Sequence, residues 1–80
     1  MLDKITEILE SKRVDDIYIQ SDDGRINLNF DLFSDSVCNI STDKKTFHVS
    51  SRFNALTIKE NKIIRVSFQN NLLFIIVKGL

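Results

Sequence analysis

The chain has one cysteine, one histidine, two glycines, no proline and no tryptophan among its 80 residues. Each shortage removes a class of chemistry. With Cys38 alone no internal disulfide can form, and Cys38 with His48 cannot supply the ligands of a structural zinc site. Gly24 and Gly79 are too far apart for a phosphate-cradling loop, which needs closely spaced glycines ahead of a helix. The longest apolar run, Leu72 to Val77, falls far short of the roughly 20 residues that a membrane-spanning helix requires. The first residues alternate charge with aliphatics and end in no cleavage site, so the expected setting is cytoplasmic, with no membrane partner. Asn39-Ile40-Ser41 matches a glycosylation sequon, which without a secretion signal reads as chance.

Catalytic groups are equally scarce. His48 and Ser50 share a strand face, but no glycine-flanked elbow presents the serine as a nucleophile. Cys38 has no cation or helix start near it in sequence to lower its pKa, and reads as a small core residue. Asp22 and Asp23 are explained by a turn, and Asp15-Asp16 by the passage from helix to strand; no bidentate glutamate follows at calcium-loop spacing. No catalytic residue, cofactor or metal ligand is therefore assigned.

At this length the chain makes one domain, residues 1–80, near the size where folding removes only about 60% of the unfolded surface from water. With disulfide and metal excluded, self-association into a homo-oligomer is the remaining external support. Abundant isoleucine, asparagine and lysine indicate an AT-rich genome, such as that of a low-GC bacterium or its phage.

What is present is a change of period. Leu2, Ile5, Ile8 and Leu9 recur at helical steps, which predicts a helix over residues 1–12, with Asp3 as a candidate cap and basic residues near its end. From residue 14 to 78 the period is two. Val14 to Gln20 and Arg25 to Asp31 flank Ser21-Asp22-Asp23-Gly24, a hairpin signal because glycine accepts the positive φ of the turn. Further strands are predicted at Ser36 to Ile40, Thr46 to Ser50, Ala55 to Lys59, Ile63 to Phe68 and Leu72 to Lys78. The expected fold is mainly β (α+β): one N-terminal helix, then an antiparallel meander of six or seven short strands forming a small barrel or strongly curled sheet. Its expected core is Ile17, Ile19, Ile26, Leu28, Phe30, Phe47, Val49, Leu56, Ile58, Ile64, Val66, Phe68, Phe74 and Ile76. Leu72 to Val77 is apolar on both faces, so its outer side needs a cover. Either the stripe of Leu2, Ile5 and Leu9 or a second chain supplies it.

Net charge is zero, but the halves differ. Residues 1–43 hold ten acids against four bases, and residues 44–80 seven bases against Glu60 alone. In a meander these halves become two sides of a dipolar molecule, a pattern that points to an electrostatic partner. The function expected is that of a small non-enzymatic binding or regulatory module acting through protein–protein interaction, of the inhibitor or immunity-factor kind. Arg52, Phe53 and Asn54 are the expected contact residues, since arginine and an aromatic exposed together make interface anchors; the competing expectation for this loop is that Phe53 packs inward. The alternative is a nucleic-acid-binding small β-barrel using Lys44, Lys45, Arg52 and Arg65 of the basic half, with Phe47, His48 or Phe53 stacking on bases.

Overall fold

The structure, a computed structural model, describes residues 1–32, 37–43 and 45–79, and only the backbone of Val37 and Cys38. The expectations for the Cys38 side chain and for Lys44 therefore lie outside the described residues.

The helix α1 spans Leu2–Ser11 and buries Leu2, Ile5 and Ile8 of the predicted stripe, with Leu9 partly buried against the core. Asp3 does not cap it. The N-cap is Met1, which makes no side-chain cap bond, and no basic residue stands in the last turn. A distant group serves instead: Leu2 N–H donates to Glu60 Oε2 at 3.0 Å.

Among the described residues seven strands follow: β1 (Asp16–Ser21), β2 (Asn27–Asp31), β3 (Val37–Thr42), β4 (Thr46–Ser51), β5 (Ala55–Lys59), β6 (Ile63–Gln69) and β7 (Leu72–Val77), with a 3-10 turn at Glu60–Lys62 before β6. The hairpin turn after β1 forms as its residues dictate. Gly24 takes φ +77°, and buried Ser21 Oγ both donates to Asp23 Oδ1 at 2.6 Å and accepts from Ile26 N–H at 2.9 Å. Asn70 and Asn71 supply the positive φ of the two-residue turn between β6 and β7.

Among the described residues the strands do not form one continuous meander, and no closed barrel is found. They make two sheets, one ordered β2-β1-β7-β6 and the other β3-β4-β5, with β1 and β7 running parallel. Sequence periodicity cannot reveal that pairing, because the whole three-stranded sheet lies between its two partners in the chain. The pairing brings β1, from the acidic half, against β7, from the basic half, although β7 itself carries no charged residue.

The core lies between the sheets and contains Leu2, Ile5, Ile8, Ile17, Ile19, Phe30, Phe47, Val49, Ile58, Ile63, Val66, Leu73, Ile75 and Val77. Two expectations fail here. In β7 the buried set is Leu73, Ile75 and Val77, leaving Phe74 and Ile76 outside, because a strand apolar on both faces carries no phase in its pattern. In β6 a register break between Ile63 and Arg65 turns Ile63 inward and leaves Ile64 exposed. Leu28, Leu56 and Phe68 are partly buried against the core rather than within it, and Ile26 is half-buried.

The helix takes its place at an edge of the sandwich. It contacts β6, the last strand of one sheet, and Thr6 Oγ1 lies 3.2 Å from Thr42 Oγ1 at the end of β3, the first strand of the other. Its apolar side chains therefore join the inner core instead of covering the outer side of β7.

Candidate functional site

Among the described residues, side chains available for contact gather on a turn, on a sheet face and in a cleft. The first is the turn between β4 and β5. Ser51 organises it: its N–H donates to Asn54 O at 2.7 Å, and its Oγ accepts from Phe53 N–H at 3.2 Å and Asn54 N–H at 3.1 Å. These bonds hold Arg52, Phe53 and Asn54 outward, with Phe53 at 82% exposure. A braced turn loses little freedom when its side chains are gripped.

The second surface is the outer face of the four-stranded sheet. Register and alternation place Leu72, Phe74 and Ile76 of β7 there beside Tyr18 of β1, whose ring stacks on Phe74 with centroids 5.4 Å apart. Polar residues border the stripe: Asn27, Asn29, Asp31 and Asp16 on one side, Arg65, Ser67 and Gln69 on the other. The stripe is half-buried by its own neighbours, and no helix lies on it.

The third surface is a cleft of about 270 Å³ at the free edge of β5. Ile26, Leu56, Ile58 and Val77 make its apolar lining, and Lys59, Lys62 and Lys78 supply its charge. The last two are held close by a backbone bond from Lys78 N–H to Lys62 O at 2.7 Å.

Of the cations expected to bind nucleic acid, the described ones, Lys45, Arg52 and Arg65, are not brought together. Lys45 precedes β4 and Arg52 follows it, at opposite ends of a strand about 20 Å long. Arg65 projects from the other sheet. Phe47 is fully buried, and His48 Nδ1 lies 2.7 Å from Thr57 Oγ1 on the polar outer face of the three-stranded sheet. Among the described residues, no three His, Cys, Asp or Glu side chains gather as a metal site would require. No helix is long and apolar enough to cross a membrane. The basic group that does form, around Lys59, Lys62 and Lys78, is not predicted by the sequence reading; its one trace there is the excess of bases after residue 43.

Among the described residues, three carboxylates are held below their ordinary range. Asp23 is lowered by Ser21 Oγ–H and the Arg25 N–H, and Asp43 by the Lys45 N–H and Thr46. Glu60 is lowered chiefly by the Leu2 N–H, with the Met1 ammonium 3.4 Å away adding to it. All three serve turns or the helix start, which are structural tasks.

No protein-family model, curated protein or solved structure matches the chain.

Proposed function

We propose that the chain is a non-enzymatic regulatory module that binds another protein, of the inhibitor or immunity-factor kind, with Phe53 as its anchor. The observation that carries this reading is the 82% exposure of Phe53 on a turn fixed by Ser51. An aromatic ring held in water does nothing for the fold, whereas in a partner's pocket it gives up its whole exposed apolar surface at little entropic cost. Arg52 and Asn54 beside it add a charge and an amide with which to orient the contact.

The nucleic-acid alternative draws no support from the placement of Lys45, Arg52 and Arg65, which point to three different parts of the surface. Exposure makes the test of the main reading clean. Phe53→Ala should leave the thermal midpoint within the range of an ordinary surface change, about 0.5 kcal/mol. Used as bait in parallel with the wild-type chain, it should lose a protein that the wild type retains from extracts of the source cell. Retention of the same proteins by both baits would refute Phe53 as the anchor.

A further inference from the structure

We infer that the free edge of β5, with the adjoining lysine-rimmed cleft, accepts an extended acidic segment of a partner protein as an added strand. This deepens the protein-binding reading by naming the chemistry of a second contact, and it does not depend on Phe53.

The backbone supports this first. β5 is the last strand of its sheet and pairs with β4 alone. Ser51 N–H bonds Asn54 O at one end of that hairpin, and Glu60 N–H bonds Lys45 O at the other. Bonded and non-bonded pairs alternate in an antiparallel ladder, so Leu56 and Ile58 face β4 with their amides. The N–H and C=O groups of Ala55, Thr57 and Lys59 then point away from β4, as an unfilled template for one more strand.

Two of the other three edges are treated differently: β3 and β6 both carry register breaks, between Val37 and Asn39 and between Ile63 and Arg65, and the helix lies against them. The third, β2, keeps an unbroken register like β5, but it exposes Asn27, Asn29 and Asp31 and none of its residues lines the lysine-rimmed cleft. β5 keeps an unbroken register from Ala55 to Lys59 and contains no proline. It is a regular edge, which is what strand addition requires.

Charge and shape then select the occupant. Leu56 and Ile58 turn into the cleft with Ile26 and Val77, so alternate apolar side chains of an added strand would meet an apolar wall. Lys59, Lys62 and Lys78 all stand toward the Lys59 end, and none is in an ion pair among the described residues. The carboxylates close to Lys78, those of Asp22 and Asp23, are engaged by the Gly79 N–H and by Ser21 and Arg25. Three mutually repelling ammonium groups are relieved by carboxylates brought from outside. Antiparallel addition places those acids at the N-terminal end of the incoming segment.

The probe is a fluorescein-labelled eight-residue peptide with two aspartates at its N-terminus followed by alternating valine and threonine, titrated into the full chain. Saturable anisotropy that weakens with salt is expected, together with slowed amide exchange at Ala55, Thr57 and Lys59. Alanine at Lys59, Lys62 or Lys78 should weaken binding roughly two- to five-fold each, the range of single exposed ion pairs. Phe53→Ala should bind the peptide unchanged, so either protein-binding reading can fail while the other stands. The inference is overturned by absent binding, by unslowed exchange at Thr57 in the saturated complex, or by equal binding of a peptide with lysines in place of the aspartates. It is also overturned if a short oligonucleotide binds more tightly and depends on the same three lysines, since the cleft would then be a phosphate site.

Discussion

The two sides on which the sheets part are finished in opposite ways. Between β6 and β3 the chain inserts its own helix, whose Leu2, Ile5 and Ile8 are buried in the common core. Between β5 and the start of β2 no such element lies among the described residues, and a cleft remains with apolar walls and a basic rim. Both flanking strands on the helix side have broken registers, whereas β5 is regular. The sandwich closes one side with buried apolar side chains and leaves the other regular, apolar and charged, the contrast on which the proposed division between structural and contact edges rests.

The largest effect that would break this contrast comes from one substitution made on each side. Ile5 is fully buried, so Ile5→Asp removes its packing and buries an unpaired carboxylate, at roughly 5 kcal/mol or more. A core of this size supplies only about 3–5 kcal/mol, so the variant should be unfolded by circular dichroism at any urea concentration. Ile26→Asp lies in the cleft within reach of water and of three lysines, and should cost about 1 kcal/mol or less in a urea titration. Equal losses would mean that the cleft is as structural as the helix side.

Proline substitutions come next in size and sharpen the contrast within β5 itself. Ile58→Pro removes an amide bonded to β4 and should cost about 3 kcal/mol. Thr57→Pro removes an amide directed at the open edge, so it should shift the urea midpoint far less while abolishing peptide binding. If Thr57→Pro proves the more damaging of the two, the assignment of the free edge is wrong.

How far these features can be read from sequence depends on the range of the interaction that sets them. The helix stripe, the Gly24 turn and the unbroken β5 segment are local, and composition and period place them within a residue or two. Pairing of β1 with β7 is set by burial across the whole domain, and the phase of β7 follows from it; a strand apolar on both faces offers no alternation to decide between Leu73 and Phe74. The break at Ile63 and Arg65 moves one side chain by one step, a change invisible in a run of adjacent isoleucines. Lys59, Lys62 and Lys78 come together because Lys78 bonds the Lys62 carbonyl at the end of β7, and the chain separation of these residues hides the cluster. Phe53 is the opposite case: its place in a turn was legible, but whether its ring points in or out was not, and the structure leaves it 82% exposed.

Glu60 offers the smallest and most diagnostic effect, because its short turn belongs to both sides. Lys62 of the same turn lines the cleft, while Glu60 Oε2 accepts the Leu2 N–H at the helix start, where the dipole favours an anion. That bond holds the Glu60 carboxyl below its ordinary range in the folded chain. The folded pKa is therefore lower than the unfolded one, so the contribution is present above the ordinary carboxylate range and is lost as pH falls through it to the folded value. Glu60→Gln keeps an acceptor for Leu2 but removes the charge. It should be slightly less stable than the wild type at about pH 7, and the difference should close as urea titrations move to about pH 3. Asp23 and Asp43, lowered in both proteins, leave a common acid-induced loss that cancels in the comparison. Superimposable pH profiles would show that the helix is held by its buried stripe alone. A closing difference would show that the turn clamps the helix with one residue while it presents Lys62 to the cleft with another.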